Sequence, residues 1–217
     1  MATSFKLRTG ALALVLVAAQ ALPAYEHPLD PHSVREAYFL GNRKDDKTAK
    51  FLTQYVKRLP LPKTGPHVAE IELRTPYEQA VLRAAQAPGS YSTQDAEQDY
   101  AARPDLIVVR VRINLTPTYP AYIAEGKGKL RERPEDFWRE CSIQLAQGER
   151  ITRKSVAGRP LYTSGYRTPC PVGCALDGAE VLLEFDASRI RSEPVKIEVL
   201  TPDGQTVEAE FDLRDLR

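Results

Sequence analysis

Between Ile107 and Thr116 the chain alternates with a period of two. Ile107, Val109, Val111, Ile113 and Leu115 fall at one parity, and Val108, Arg110, Arg112, Asn114 and Thr116 at the other. Successive strand residues point to opposite faces, so the first set is written for a core and the second largely for a polar surface. The same period governs the rest of the chain. Cys141, Ile143 and Leu145 predict a strand that turns at Gln147-Gly148-Glu149 into another near Ile151 to Val156, and Val181, Leu183 and Phe185 predict a further one. Val195, Ile197 and Val199 run into Thr201-Pro202-Asp203-Gly204, after which Val207, Ala209, Phe211 and Leu213 return. Proline presets the first torsion of such a turn and glycine takes the strained one, which makes this a hairpin.

Helical spacing is confined to the first half. Ser33-Val34-Arg35-Glu36 has the form of a capping box and predicts a helix to about Leu40, with Gly41-Asn42 as its stop. Asp45-Asp46 opens a second helix, on which Ala49, Leu52, Tyr55, Val56 and Leu59 recur until Pro60. Ala69, Ile71 and Leu73 then alternate with Glu70, Glu72 and Arg74 as a half-buried strand. Thr75-Pro76-Tyr77-Glu78 starts a helix to about Gln86, and a weaker one covers Gln94 to Ala102.

Seven or eight short strands, with helices only before or between the first two, predict a mainly β fold. The expected architecture is an antiparallel immunoglobulin-like β-sandwich over 67–217, with a helical insertion at about 76–103 after its first strand. Residues 25–66 form a helical N-terminal extension to it. The likeness is one of strand pattern, because Trp138 precedes Cys141 by three residues instead of lying between paired cysteines.

Residues 1–24 have the parts of an export signal: cationic Lys6 and Arg8, an apolar run over Gly10 to Ala19, and small residues beyond it. Ala19-Gln20-Ala21 supports cleavage after Ala21, and Ala24 is a second point. A membrane anchor needs about 20 apolar residues, and Gln20 and Pro23 end this run sooner. The expected location is periplasmic or extracellular, in a bacterial host, with no transmembrane span once the signal is removed. The whole chain carries a formal charge of +1, and losing Lys6 and Arg8 leaves it near neutral. Nucleic-acid binding, which needs a concentrated basic face, is excluded on that ground.

In an oxidising compartment the three cysteines predict one disulfide and one buried thiol. Cys170 and Cys174 can close a short loop, or either can reach Cys141. Nucleophile elbows, zinc-protease signatures and phosphate-binding loops are absent from the sequence, and His27, His32 and His67 are its three histidines. The balance is against an enzyme, although folding can still bring His67 to a cysteine. One metal reading stands. A mature terminus Tyr25-Glu26-His27 offers an amine, two amides and an imidazole to Cu(II) or Ni(II). No other cofactor is implied.

Aromatic residues mark the candidate binding surface. Tyr119 and Tyr122 follow the strongest strand, and Tyr162 and Tyr166 precede Cys170, all in expected end loops. Tyrosine supplies large contact area at low entropic cost, whereas Phe137 and Trp138 suit the core. The reading is therefore a non-catalytic exported protein that binds another protein or a cell-envelope component. N-terminal sequencing of the exported protein should begin at Leu22 or Tyr25; a retained Met1 would contradict the export assignment.

Overall fold

The alternating segments pair, and every pairing is antiparallel. A computed structural model describes residues 24–126, 128–163 and 174–217; residues 1–23, expected as an export signal, and Tyr166 and Cys170 lie outside them. Among the described residues the strands are β1 (Val56–Arg58), β2 (His67–Arg74), β3 (Leu106–Asn114), β4 (Tyr122–Glu125), β5 (Lys129–Glu132), β6 (Ser142–Gln147), β7 (Glu149–Ile151), β8 (Ser155–Tyr162), β9 (Leu176–Asp186), β10 (Pro194–Leu200) and β11 (Thr206–Asp212). One sheet runs β1-β2-β3-β9-β8, a second β11-β10-β6-β7, and β4-β5 is a separate hairpin. The molecule is thus mainly antiparallel β, with four helices.

Both large sheets feed one core. Ile71, Val109, Val111 and Leu183 of the first meet Leu145, Ile197, Val199 and Phe211 of the second in a single apolar cluster. The segment expected as one strand over Ile151 to Val156 is split. β7 stays with β6, and the chain then crosses to place β8 beside β9. Thr201-Pro202-Asp203-Gly204 makes the expected turn, with Gly204 at φ 84°.

The helices are α1 (Pro31–Asn42), α2 (Asp46–Thr53), α3 (Pro76–Gln86) and α4 (Thr93–Ala101). They form a layer of their own, in which Val34 and Ala37 of α1 meet Tyr77 and Val81 of α3 and Ala96 of α4. Three expectations change here. Asp30, not Ser33, caps α1, its carboxylate accepting from the Ser33 amide at 2.6 Å with Pro31 in the first helical turn. The second helix ends at Thr53 instead of running to Leu59, because Val56–Arg58 pairs with β2. Tyr55 is fully buried at that break, and its hydroxyl donates to the Arg217 carbonyl at 2.8 Å.

Gly41 is the third change. It lies inside α1, where a Cβ would fall 2.1 Å from the Val81 carbonyl and 2.8 Å from the Ala84 Cβ. It is a close-approach residue between two helices and not a stop. Gly41→Ala should therefore destabilise the protein by about 1–3 kcal/mol through overpacking. An unchanged urea midpoint would contradict the α1–α3 packing.

Candidate functional site

Strand register decides which loops share an end. Asn114 opposes Gly178, Tyr162 opposes Leu176, and Leu200 opposes Ser142. The long β3–β6 connection, the end of β8 and the β10–β11 turn are therefore neighbours. The β1–β2 loop bridges two of them: the Thr116 hydroxyl donates to the Gly65 carbonyl at 2.6 Å, and Gln205 Nε2 to the Thr64 carbonyl at 2.7 Å.

The candidate tyrosines Tyr119, Tyr122 and Tyr162 all fall at this end, but in different roles. Tyr119 is a structural post. Its hydroxyl donates to Glu140, the Arg133 guanidinium lies 3.5 Å from its ring centroid, and its ring packs against Phe137. Burial, then the Glu140 carboxylate, raise its pKa. Tyr162 donates to Glu135, which with its partial burial lifts its pKa to about 12. The two hydroxyls thus hold the two ends of the 135–140 segment, while Phe137 and Trp138 of that segment enter the core. Trp138 lies over Gly158 of β8, where a Cβ would fall 2.2 Å from the ring.

Tyr122 is instead exposed. It is 45% exposed on β4, and Leu130 of β5 is 68% exposed. Tyr122 opposes Glu132 and Ala124 opposes Leu130, so these four side chains share one face of the hairpin. The post holds the hairpin's base, because Arg133 also donates through Nε to the Pro120 carbonyl at 2.9 Å. Leu130 was not among the sequence candidates, although the charged run from Lys127 to Arg133 around it is the signal that could have found it.

Catalytic and metal chemistry find little to build on. The Cys141 thiol is free, which removes it as a disulfide partner, and burial followed by Glu140 and Asp203 pushes its pKa up to about 12. A thiol so protonated is a poor nucleophile. His67 Nε2 lies 3.0 Å from the Leu59 carbonyl, so that ring nitrogen is engaged by the backbone. At the terminal chelate, the Tyr25 amide donates to the Leu213 carbonyl at 2.9 Å, and the Tyr25 ring is buried. His27 Nδ1 faces Asp105 Oδ2 at 3.1 Å, an ion-pair distance that lies off the hydrogen-bond direction. Both nitrogens that would begin and close the chelate therefore have other neighbours. Among the described residues no group of three or more His, Cys, Asp or Glu is placed to hold a metal ion.

No protein-family model matches the chain, and no curated protein matches it. Its chemistry therefore has to be argued from the residues themselves.

The opposite end, where α3 meets the sheet, holds a feature that strand periodicity misassigns. Alternation puts Arg110 of β3 and Glu70 and Glu72 of β2 on the polar parity of their strands, the side written for solvent. The strands are neighbours, and Arg110 does pair with Glu70, with Glu72 and, at 2.9 Å, with Glu180. The face is not solvated there, because Glu72 and Glu180 are buried. Arg74 joins Glu72 at 2.9 Å; although burial pushes the Glu72 carboxyl up, Arg74 and Arg110 hold it below its usual range.

Glu78 adds a further acid beside this cluster. The Thr75 side chain accepts from its amide at 3.1 Å, as a helix cap should, but the carboxylate makes no return bond. It is fully buried with neither oxygen hydrogen-bonded, and burial, with repulsion from Glu72, lifts its pKa to about 8. Arg74 and Arg110 oppose that rise. The folded protein consequently holds a proton that the unfolded chain releases above its ordinary value of 4.5. Stability from this group is complete below that value and is lost as pH rises through about 8. Glu78→Gln should flatten the decline between these values by up to about 1.4 kcal/mol per pH unit. Identical slopes for both proteins in urea unfolding would contradict the assignment.

Proposed function

We propose that the protein is an exported, non-catalytic binding module that recognises another protein or a cell-envelope component through its loop end. The observation that carries this reading is the β4–β5 hairpin, which presents Tyr122 and Leu130 on one exposed face above a base locked by Tyr119 and Arg133. Exposed aromatic and aliphatic side chains on a fixed support are suited to a binding hot spot, because little ordering entropy is lost on contact.

The immunoglobulin-like sandwich belongs to the same proposal, and strand order supports it. Let β2, β3, β6, β7, β8, β9, β10 and β11 stand for strands A, B, C, C′, D, E, F and G. The two sheets then become β1-A-B-E-D and G-F-C-C′, the seven-stranded arrangement of that fold with two added edge strands, β1 and C′. The hairpin occupies the B–C connection, and the β10–β11 turn lies at the same end as F–G. Recognition in such sandwiches concentrates at this end.

Export rests on the signal-like residues 1–24, and the side chain of Tyr25 enters the core directly after the second cleavage point. With the Cys141 thiol free, the disulfide that export would allow joins Cys170 to Cys174. No described helix is long and apolar enough to cross a membrane.

Tyr122→Ala with Leu130→Ser removes the apolar face without touching the post, and surface changes of this kind shift stability by about 0.5 kcal/mol or less. Pull-down from envelope extract should lose the partner retained by the wild type. Recovery of the same partner at the same yield would contradict the hairpin assignment.

A further inference from the structure

A cleft of about 490 Å³ opens between α3 and α4, at the end of the molecule opposite the hairpin. Its wall carries Arg74, Arg83 and Arg103 against one acid, Asp99. These arginines come from the end of β2, the last turn of α3 and the residues after α4, so only folding assembles them. Such a volume suits a small-molecule ligand.

The acid serves as a brace more than as a neutraliser. Asp99 Oδ2 accepts from Arg83 Nε at 2.5 Å and from the Tyr91 hydroxyl at 3.1 Å. One carboxylate oxygen thereby orients both a cation and an aromatic ring of the wall. Arg103 is exposed, and its side chain makes no hydrogen bond or ion pair among the described residues. Arg74 spends one terminal nitrogen on Glu72, while its Nε is buried without a hydrogen-bond partner. Beyond Asp99 the cleft narrows toward Asp105, which already faces His27.

Guanidinium groups converging on a pocket with unused donors match the paired oxygens of phosphoryl or carboxylate groups. We propose that this cleft binds a small ligand bearing such an oxyanion, held by Arg83 and Arg103 with Arg74 behind them. The site is separate from the hairpin and does not depend on the function proposed for it.

Arg103 is the position to test, because its side chain supports nothing else in the fold. Isothermal titration of the full exported chain with inorganic pyrophosphate, and separately with citrate, should show saturable binding of at least one at submillimolar Kd. Pyrophosphate alone would assign the phosphoryl source, and citrate alone the carboxylate source. Arg103→Ala should weaken that binding about tenfold, and Arg103→Glu should abolish it. No saturable binding of either anion at millimolar concentration would overturn the proposal. An unchanged Kd in Arg103→Glu, with its circular dichroism and urea midpoint as in the wild type, would do the same.

Discussion

The inward row of β3 is the constraint on which the other elements depend. Ile107, Val109, Val111 and Ile113 have no solvent exposure and sit on the central strand of the five-stranded sheet. Burying side chains of this size contributes about 1.5–3 kcal/mol each. A slip of one residue would exchange that row for Arg110 and Arg112, so register is not negotiable. With β3 fixed, β2 and β9 are fixed by pairing to it, and the two ends of the molecule acquire separate characters. The loop end receives the β3–β6 connection, and the other end receives the helices.

That division also explains the charge cluster. The residues of β3 that face away from the core must be polar if the sheet is to be wet, and Arg110 meets that requirement. On that face Glu72 and Glu180 lose water, and so does Glu78 in the first turn of α3. A half-buried arginine among carboxylates is tolerated because each charge finds a partner. Glu78 is the exception, and it is accommodated by keeping its proton.

Legibility of the fold followed the range of the interactions. The β10–β11 hairpin and the strand faces of β3 and β9 were readable because turn chemistry and alternation are local. The helix expected through Leu59 was not, since Tyr55 is drawn into the core and Val56–Arg58 finds a strand partner in β2. Pairing with residues far along the chain overrode a local period there. Gly41 was misread for the same reason, its role set by Val81 on another helix. Within the candidate site, spacing placed Tyr119, Tyr122 and Tyr162 in end loops but could not separate post from contact surface. Glu135, Arg133 and Glu140 make that distinction by where the fold brings them. The arginine cleft left no trace in the sequence, because its members lie on three elements.

The central claim is that the β4–β5 hairpin is the contact surface of an exported binding module. Site-specific photocrosslinking tests it inside the cell envelope. A photoreactive side chain at position 130, on the hairpin face, should yield a discrete adduct with one partner. The same group at position 156, an exposed site on β8, should not yield it. Adduct formation of equal yield at both positions, or at neither, would contradict the account.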